Sequence, residues 1–175
     1  RSGFYLLTGT PIYDREVSGR YYNGAVLFEP AKKLCQGYKK IHPVPFSEKI
    51  PYAEKLSIFK KLATADMGNM TPGKTFRVFN FPYGKFSVLI CFESIFPDLT
   101  QEFTKRGADL LINITNDGWF GRTPGPYQHA ELSILRTVEN GVPLVRCANN
   151  GISFIVDSYG RVLNKTSLFT QTVLI

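Results

Sequence analysis

The chain has 175 residues, 43% apolar and 20% charged, which is one globular domain's worth and argues against disorder for most of its length. No apolar run approaches the roughly 18 residues that cross a bilayer, and the opening Arg1-Ser2-Gly3-Phe4-Tyr5-Leu6-Leu7-Thr8 lacks the features of a signal peptide. The net charge of +7 comes from scattered pairs such as Lys32-Lys33, Lys39-Lys40 and Lys105-Arg106; without a basic block, nucleic acid is disfavoured as a partner and a solvated or anionic-lipid surface is favoured.

In chain order, residues 4–9 and 22–28 are apolar runs that predict strands, the second stopped by Glu29-Pro30. Residues 29–37 read as a turn, and 38–48, with Pro43 and Pro45, as an extended loop. Pro51 opens a predicted helix with Tyr52, Leu56, Phe59 and Ala63 on one face. Residues 65–74 are a predicted surface loop, and 75–81 and 86–92 predicted strands around a Tyr83-Gly84 turn. The second strand is mostly apolar, as in a sheet covered on both faces. A helix over 97–105, a strand over 109–114 and a loop over 115–126 follow. Then comes a helix over 127–138 with Leu132, Leu135 and Val138 on one side, and strands over 142–148, 152–156 and 161–163. Alternating strands and helices predict a layered α/β or α+β fold in one domain, 1–175.

Two motif matches carry no chemistry. Residues 68–75 fit the phosphate-loop pattern GxxxxGK[ST], but they precede a predicted strand instead of a helix, and Pro72 removes an N–H; no nucleotide is expected. His129-Ala130-Glu131 has the spacing of zinc deaminases without their PCxxC partner, so His129 reads as a helix residue near a loop, structural or substrate-lining. Cys35, Cys91 and Cys147 have no ligand spacing, and no metal is expected.

Cys91 ends the apolar strand and precedes Phe92-Glu93-Ser94 and a helix. The carboxyl end of such a strand is where open α/β sheets place active sites, and a helix start stabilises a thiolate. A buried, inert thiol is the alternative reading of the position.

The loop Tyr38-Lys39-Lys40-Ile41-His42-Pro43-Val44-Pro45-Phe46-Ser47-Glu48 resembles the YxKxHLVPFGE motif of the nitrilase (carbon–nitrogen hydrolase) superfamily, and Ile90-Cys91-Phe92-Glu93 resembles its nucleophile motif. Thr115-Asn116-Asp117-Gly118-Trp119-Phe120-Gly121, Gly125-Pro126-Tyr127-Gln128-His129, Arg136-Thr137-Val138-Glu139 and Cys147-Ala148-Asn149-Asn150-Gly151-Ile152-Ser153 are similar to its apolipoprotein N-acyltransferase branch. The resemblance spans residues 5–165 and implies a four-layer αββα sandwich with a Glu–Lys–Cys triad. It implies that Cys91 is the nucleophile, accepting a phospholipid acyl chain as a thioester for transfer to the α-amine of a diacylglyceryl-cysteine lipoprotein. Lys40, two positions before His42, would face the oxyanion, with Lys39 the competing cation and the Phe92 N–H a second donor. Glu48, Glu93 and Phe92 would support the site, and Trp119 and His129 would line its substrate side. No cofactor is implied. The domain would lie on the outer, periplasmic face of a bacterial inner membrane.

The sequence departs from that pattern at Pro43, Ser47 and Phe92, where Leu, Gly and Tyr are usual. The triad's general-base Glu would lie upstream of residue 1. These departures predict a domain truncated at both ends, inactive or nearly so in isolation. A soluble amidase or nitrilase and an inactive fragment are the alternatives.

Overall fold

The computed structural model describes residues 3–14, 16–17, 19–30, 36–45, 47–48 and 70–175. The helix expected from Pro51, Cys35 and residues 65–69 of the expected loop lie outside them. The chain divides into two compact units, Arg1–Thr75 and Phe76–Ile175.

The first unit holds an antiparallel sheet in the order β1 (Leu6–Tyr13), β2 (Tyr21–Phe28), β3 (Gln36–Lys39). Leu6 faces Phe28 and Tyr13 faces Tyr21, so β1 and β2 pair along their whole length. The central strand buries Tyr22, Ala25 and Leu27. At Gly24 a Cβ would meet the Ile12 side chain and stand 3.0 Å from the Tyr38 carbonyl oxygen, so a larger residue there would have to move Ile12 aside. The turn expected over 29–37 gives way to β3 at Gln36. Gln36 and Gly37 have little strand propensity, but Leu27 and Val26 of β2 offer a ladder edge, and pairing overrides the local preference. Beyond β3 the ladder continues as the Lys40 N–H donates to the Asn23 carbonyl at 2.8 Å. Residues 70–75 form no helix; the Gly73 N–H donates to the Lys40 carbonyl at 2.6 Å.

The second unit is a six-stranded sheet in chain order: β4 (Val78–Phe81), β5 (Gly84–Ile90), β6 (Leu110–Asn116), β7 (Leu144–Asn149), β8 (Phe154–Val156), β9 (Val162–Lys165). The β5–β6 and β6–β7 pairs are parallel, and the outer pairs antiparallel. Parallel neighbours need crossovers, supplied by α1 (Pro97–Lys105) and α2 (Gly125–Asn140). The apolar run of β5 is buried continuously from Phe86 to Ile90, as expected of a strand covered on both faces. Pro97 opens α1 and Asp98 and Lys105 suit its dipole ends. Leu99 and Phe103 face the core.

In α2 the buried face is polar: His129, Ser133, Arg136 and Thr137 point inward with Ala130. Leu132, Leu135 and Val138 share one side, as the periodicity predicts, but that side is exposed. Among the described residues no helix is long and apolar enough to cross a membrane.

Candidate active site

Cys91 follows the last residue of β5 and opens a short 3₁₀ turn, Cys91–Ile95. Its φ is +53°, a left-handed backbone that costs a residue with a Cβ on the order of 1–3 kcal/mol and persists only when its surroundings enforce it. The surroundings are polar and buried. The Glu93 carboxylate, fully buried, accepts the Ile90 N–H at 2.8 Å. The Ser94 hydroxyl donates to the Cys91 carbonyl at 3.1 Å, and Asn113 Nδ2 donates to the same oxygen at 3.3 Å and to the Leu89 carbonyl at 2.9 Å. Arg136 Nη1 donates to the Ile95 carbonyl at 2.5 Å, so α2 also grips the end of the turn.

Behind the turn lies a cluster drawn from four segments. His129 Nδ1 is 2.9 Å from Asp117 Oδ1, and its Nε2 is 3.3 Å from both the Cys91 carbonyl oxygen and Ser94 Oγ. Arg146 Nη2 donates to Asp117 Oδ2 at 2.7 Å, and Nη1 donates to Asn113 Oδ1. The Thr115 hydroxyl donates to Asp117 Oδ1 at 3.0 Å. Burial alone would raise the Asp117 carboxyl; the His129 hydrogen bond and the Arg146 charge outweigh it and hold the group below its ordinary value. Burial pushes the Arg146 guanidinium down, opposed by Asp117 and, more weakly, by the neighbouring Cys91.

In the first unit, Lys40 is buried and its Nζ lies 2.7 Å from Glu48 Oε2. The Glu48 carboxylate accepts the Val44 N–H at 2.7 Å on Oε2 and Asn23 Nδ2 at 2.7 Å on Oε1. Lys39 is used differently: its Nζ stands 3.9 Å over the Tyr22 ring. The two neighbouring lysines are therefore distinguished by environment, and the buried one, in the motif position, pairs with the half-buried Glu48 carboxylate.

The sequence-predicted residues thus fall into groups. Cys91, Glu93 and His129 converge on one turn, and Lys40 and Glu48 form one pair. His129 lies in α2, within the helix expected from the sequence, and its ring is buried. Trp119 sits in the 3₁₀ turn Gly118–Phe120 and is 84% exposed. The Phe92 ring meets Phe96 edge-on at 5.4 Å. Sequence reasoning missed Asn23, Ser94, Asn113, Asp117 and Arg146 as site residues. Asn113 and Arg146 carried a usable signal: each is a polar residue inside an otherwise apolar predicted strand.

The family model described as carbon-nitrogen hydrolase matches residues 2–175. An apolipoprotein N-acyltransferase of Geobacter metallireducens is 41% identical over 169 residues, 96% of this chain and 32% of that protein. One from Rickettsia typhi is 48% identical over 132 residues, 75% of this chain and 26% of that protein. The chain spans about a third of the length of the curated relatives it matches. Among solved structures, a carbon-nitrogen hydrolase from Helicobacter pylori superposes with a TM-score of 0.71 at 20% identity, covering 94% of this chain and 58% of that one. A Saccharomyces cerevisiae member of branch 10 of the nitrilase superfamily gives 0.67 at 23% identity, covering 91% and 54%. These superpositions give the α/β fold of the nitrilase superfamily, and the match over residues 2–175 places the chain in the carbon-nitrogen hydrolase family.

Proposed function

We propose that this chain is the catalytic part of an apolipoprotein N-acyltransferase. Cys91 is its nucleophile, Lys40 its oxyanion cation and Glu48 the carboxylate that positions Lys40. Glu93 and Phe92 shape the nucleophile turn, and Trp119 lies on the substrate side. The protein acts at the outer face of a bacterial inner membrane, with a phospholipid as donor and a diacylglyceryl lipoprotein as acceptor.

In the first half-reaction the Cys91 thiolate attacks an ester carbonyl of the phospholipid. The C–S bond forms, the tetrahedral oxyanion collapses, and the ester C–O bond breaks. The lysophospholipid oxygen leaves with the proton that the thiol gave up on becoming a thiolate, returned by the base that took it. In the second, the lipoprotein amine attacks the thioester carbonyl and gives up a proton. An amide forms and the thiolate is released.

The observation that carries the reading is the Cys91 turn: a thiol at the end of a parallel strand, on a left-handed backbone, braced by Glu93, Ser94 and Asn113. Similarity to N-acyltransferases over 96% of the chain supports an amine over water as acceptor.

The test is mass spectrometry of the protein expressed from its complete gene after incubation with phosphatidylethanolamine vesicles. An acyl adduct on the Cys91 peptide, absent from Cys91→Ser and discharged to an N-acyl product by a diacylglyceryl-cysteine peptide, is expected. Release of free fatty acid without N-acyl product would make the protein a hydrolase, and no adduct at all would refute the thioester route.

A further inference from the structure

We propose that His129 and Asp117 are positioning residues that aim the Phe92 N–H at the reacting carbonyl by pinning the opposite side of the same peptide. This rests on the reading of Cys91 as an acylated nucleophile.

A trans peptide is planar, with its C=O and N–H pointing in opposite directions. The peptide joining Cys91 to Phe92 has its carbonyl held by side chains of the second unit. Ser94 Oγ donates to it at 3.1 Å and Asn113 Nδ2 at 3.3 Å, and His129 Nε2 stands 3.3 Å away. A carbonyl drawn inward turns the Phe92 N–H outward. The turn begins at Cys91, and the first N–H groups of a helical turn have no partner within it.

The carbonyl's donors are themselves fixed by a closed circuit. Asn113 Oδ1 accepts from Arg146 Nη1; Arg146 Nη2 donates to Asp117; Asp117 and Arg146 Nη2 both meet His129 Nδ1; and His129, with a proton on Nε2, donates to the Cys91 carbonyl and Ser94 Oγ. Asn113, Asp117, Arg146 and Ser94 are all but inaccessible, and His129 is 5% exposed. None of them reaches the protein surface to touch substrate, yet α2 turns this polar face inward and leaves its leucines outside. A cluster assembled from β6, the loop after it, α2 and β7 around one carbonyl oxygen is more than the folding of a hairpin or cap requires. A preorganised N–H facing a developing oxyanion accelerates only reactions that form one.

That last point gives a discriminating experiment on the protein from its complete gene. Acylation of Cys91 by phospholipid passes through an oxyanion; alkylation of the same thiol by iodoacetamide does not. In His129→Phe the acylation rate constant should fall at least tenfold, with KM for phospholipid and the alkylation rate within twofold of the unsubstituted protein. His129→Gln, which keeps a donor, should recover part of the loss. Ser94→Ala removes a single hydroxyl and should lower acylation about threefold or more with alkylation unchanged; it decides the matter if His129→Phe does not fold. Acylation within twofold in these variants, or alkylation falling in parallel, overturns the proposal. An unsubstituted protein that forms no acyl adduct refutes the nucleophile reading, and this one with it.

Discussion

Lys40 Nζ and Glu48 Oε2 form an ion pair at 2.7 Å that is buried on the lysine side, with the lysine side chain 2% exposed and the glutamate 15%. Removing one partner of a buried pair leaves an uncompensated charge and costs about 3–5 kcal/mol. The two sides are unequal, because Glu48 keeps the Val44 and Asn23 donors when the lysine is lost. Glu48→Ala should therefore lower the urea midpoint more than Lys40→Met does. The reverse order would show that the lysine, not the carboxylate, organises the loop.

Cys91 carries a Cβ on a backbone with φ +53°. Glycine adopts that conformation without the steric penalty, about 1 kcal/mol or more for other residues. Cys91→Gly should melt higher than Cys91→Ala, while both abolish acyl-adduct formation. Equal or inverted melting temperatures would mean the turn carries no strain.

Asp117 titrates below its ordinary value in the folded protein because of His129 and Arg146. A carboxyl lowered on folding binds fewer protons folded than unfolded. Its contribution to stability is therefore complete above the unfolded value, near pH 4, and is lost as pH falls through the lower folded value. Asp117→Asn should be less stable at pH 7 and show a shallower loss between about pH 4 and pH 2. Denaturant midpoints across that range measure both slopes; parallel acid limbs would contradict the assignment.

Gly73 presses its backbone against the Lys39 peptide: a Cβ there would stand 2.1 Å from the Lys39 carbonyl oxygen and 2.8 Å from its carbon. Gly73→Ala must displace backbone and should destabilise the protein by about 1–3 kcal/mol. A thermal shift indistinguishable from the unsubstituted protein would show that the segment yields freely. The glycine that completes a phosphate-loop pattern in the sequence thus has a packing reason to be glycine.

What the sequence determined by itself was whatever local pattern encodes. The apolar run of β5 placed Cys91 at a strand's end, and the segments expected as helices over 97–105 and 127–138 are α1 and α2. The motif spacing singled out Lys40 over Lys39; in the structure Lys40 pairs with Glu48 and Lys39 lies over the Tyr22 ring. Tertiary structure decided the rest. Leu132, Leu135 and Val138 have helical spacing whether that face is covered or bare, and only the packing of α2 turned His129 and Arg136 inward. Asn23 joins Glu48, and Asn113, Asp117 and Arg146 join His129, across long stretches of chain. Hydrophobic periodicity is a property of neighbours in sequence. The partner of a buried polar group is chosen only when distant segments meet, because burial makes an unpaired donor or acceptor too costly to keep.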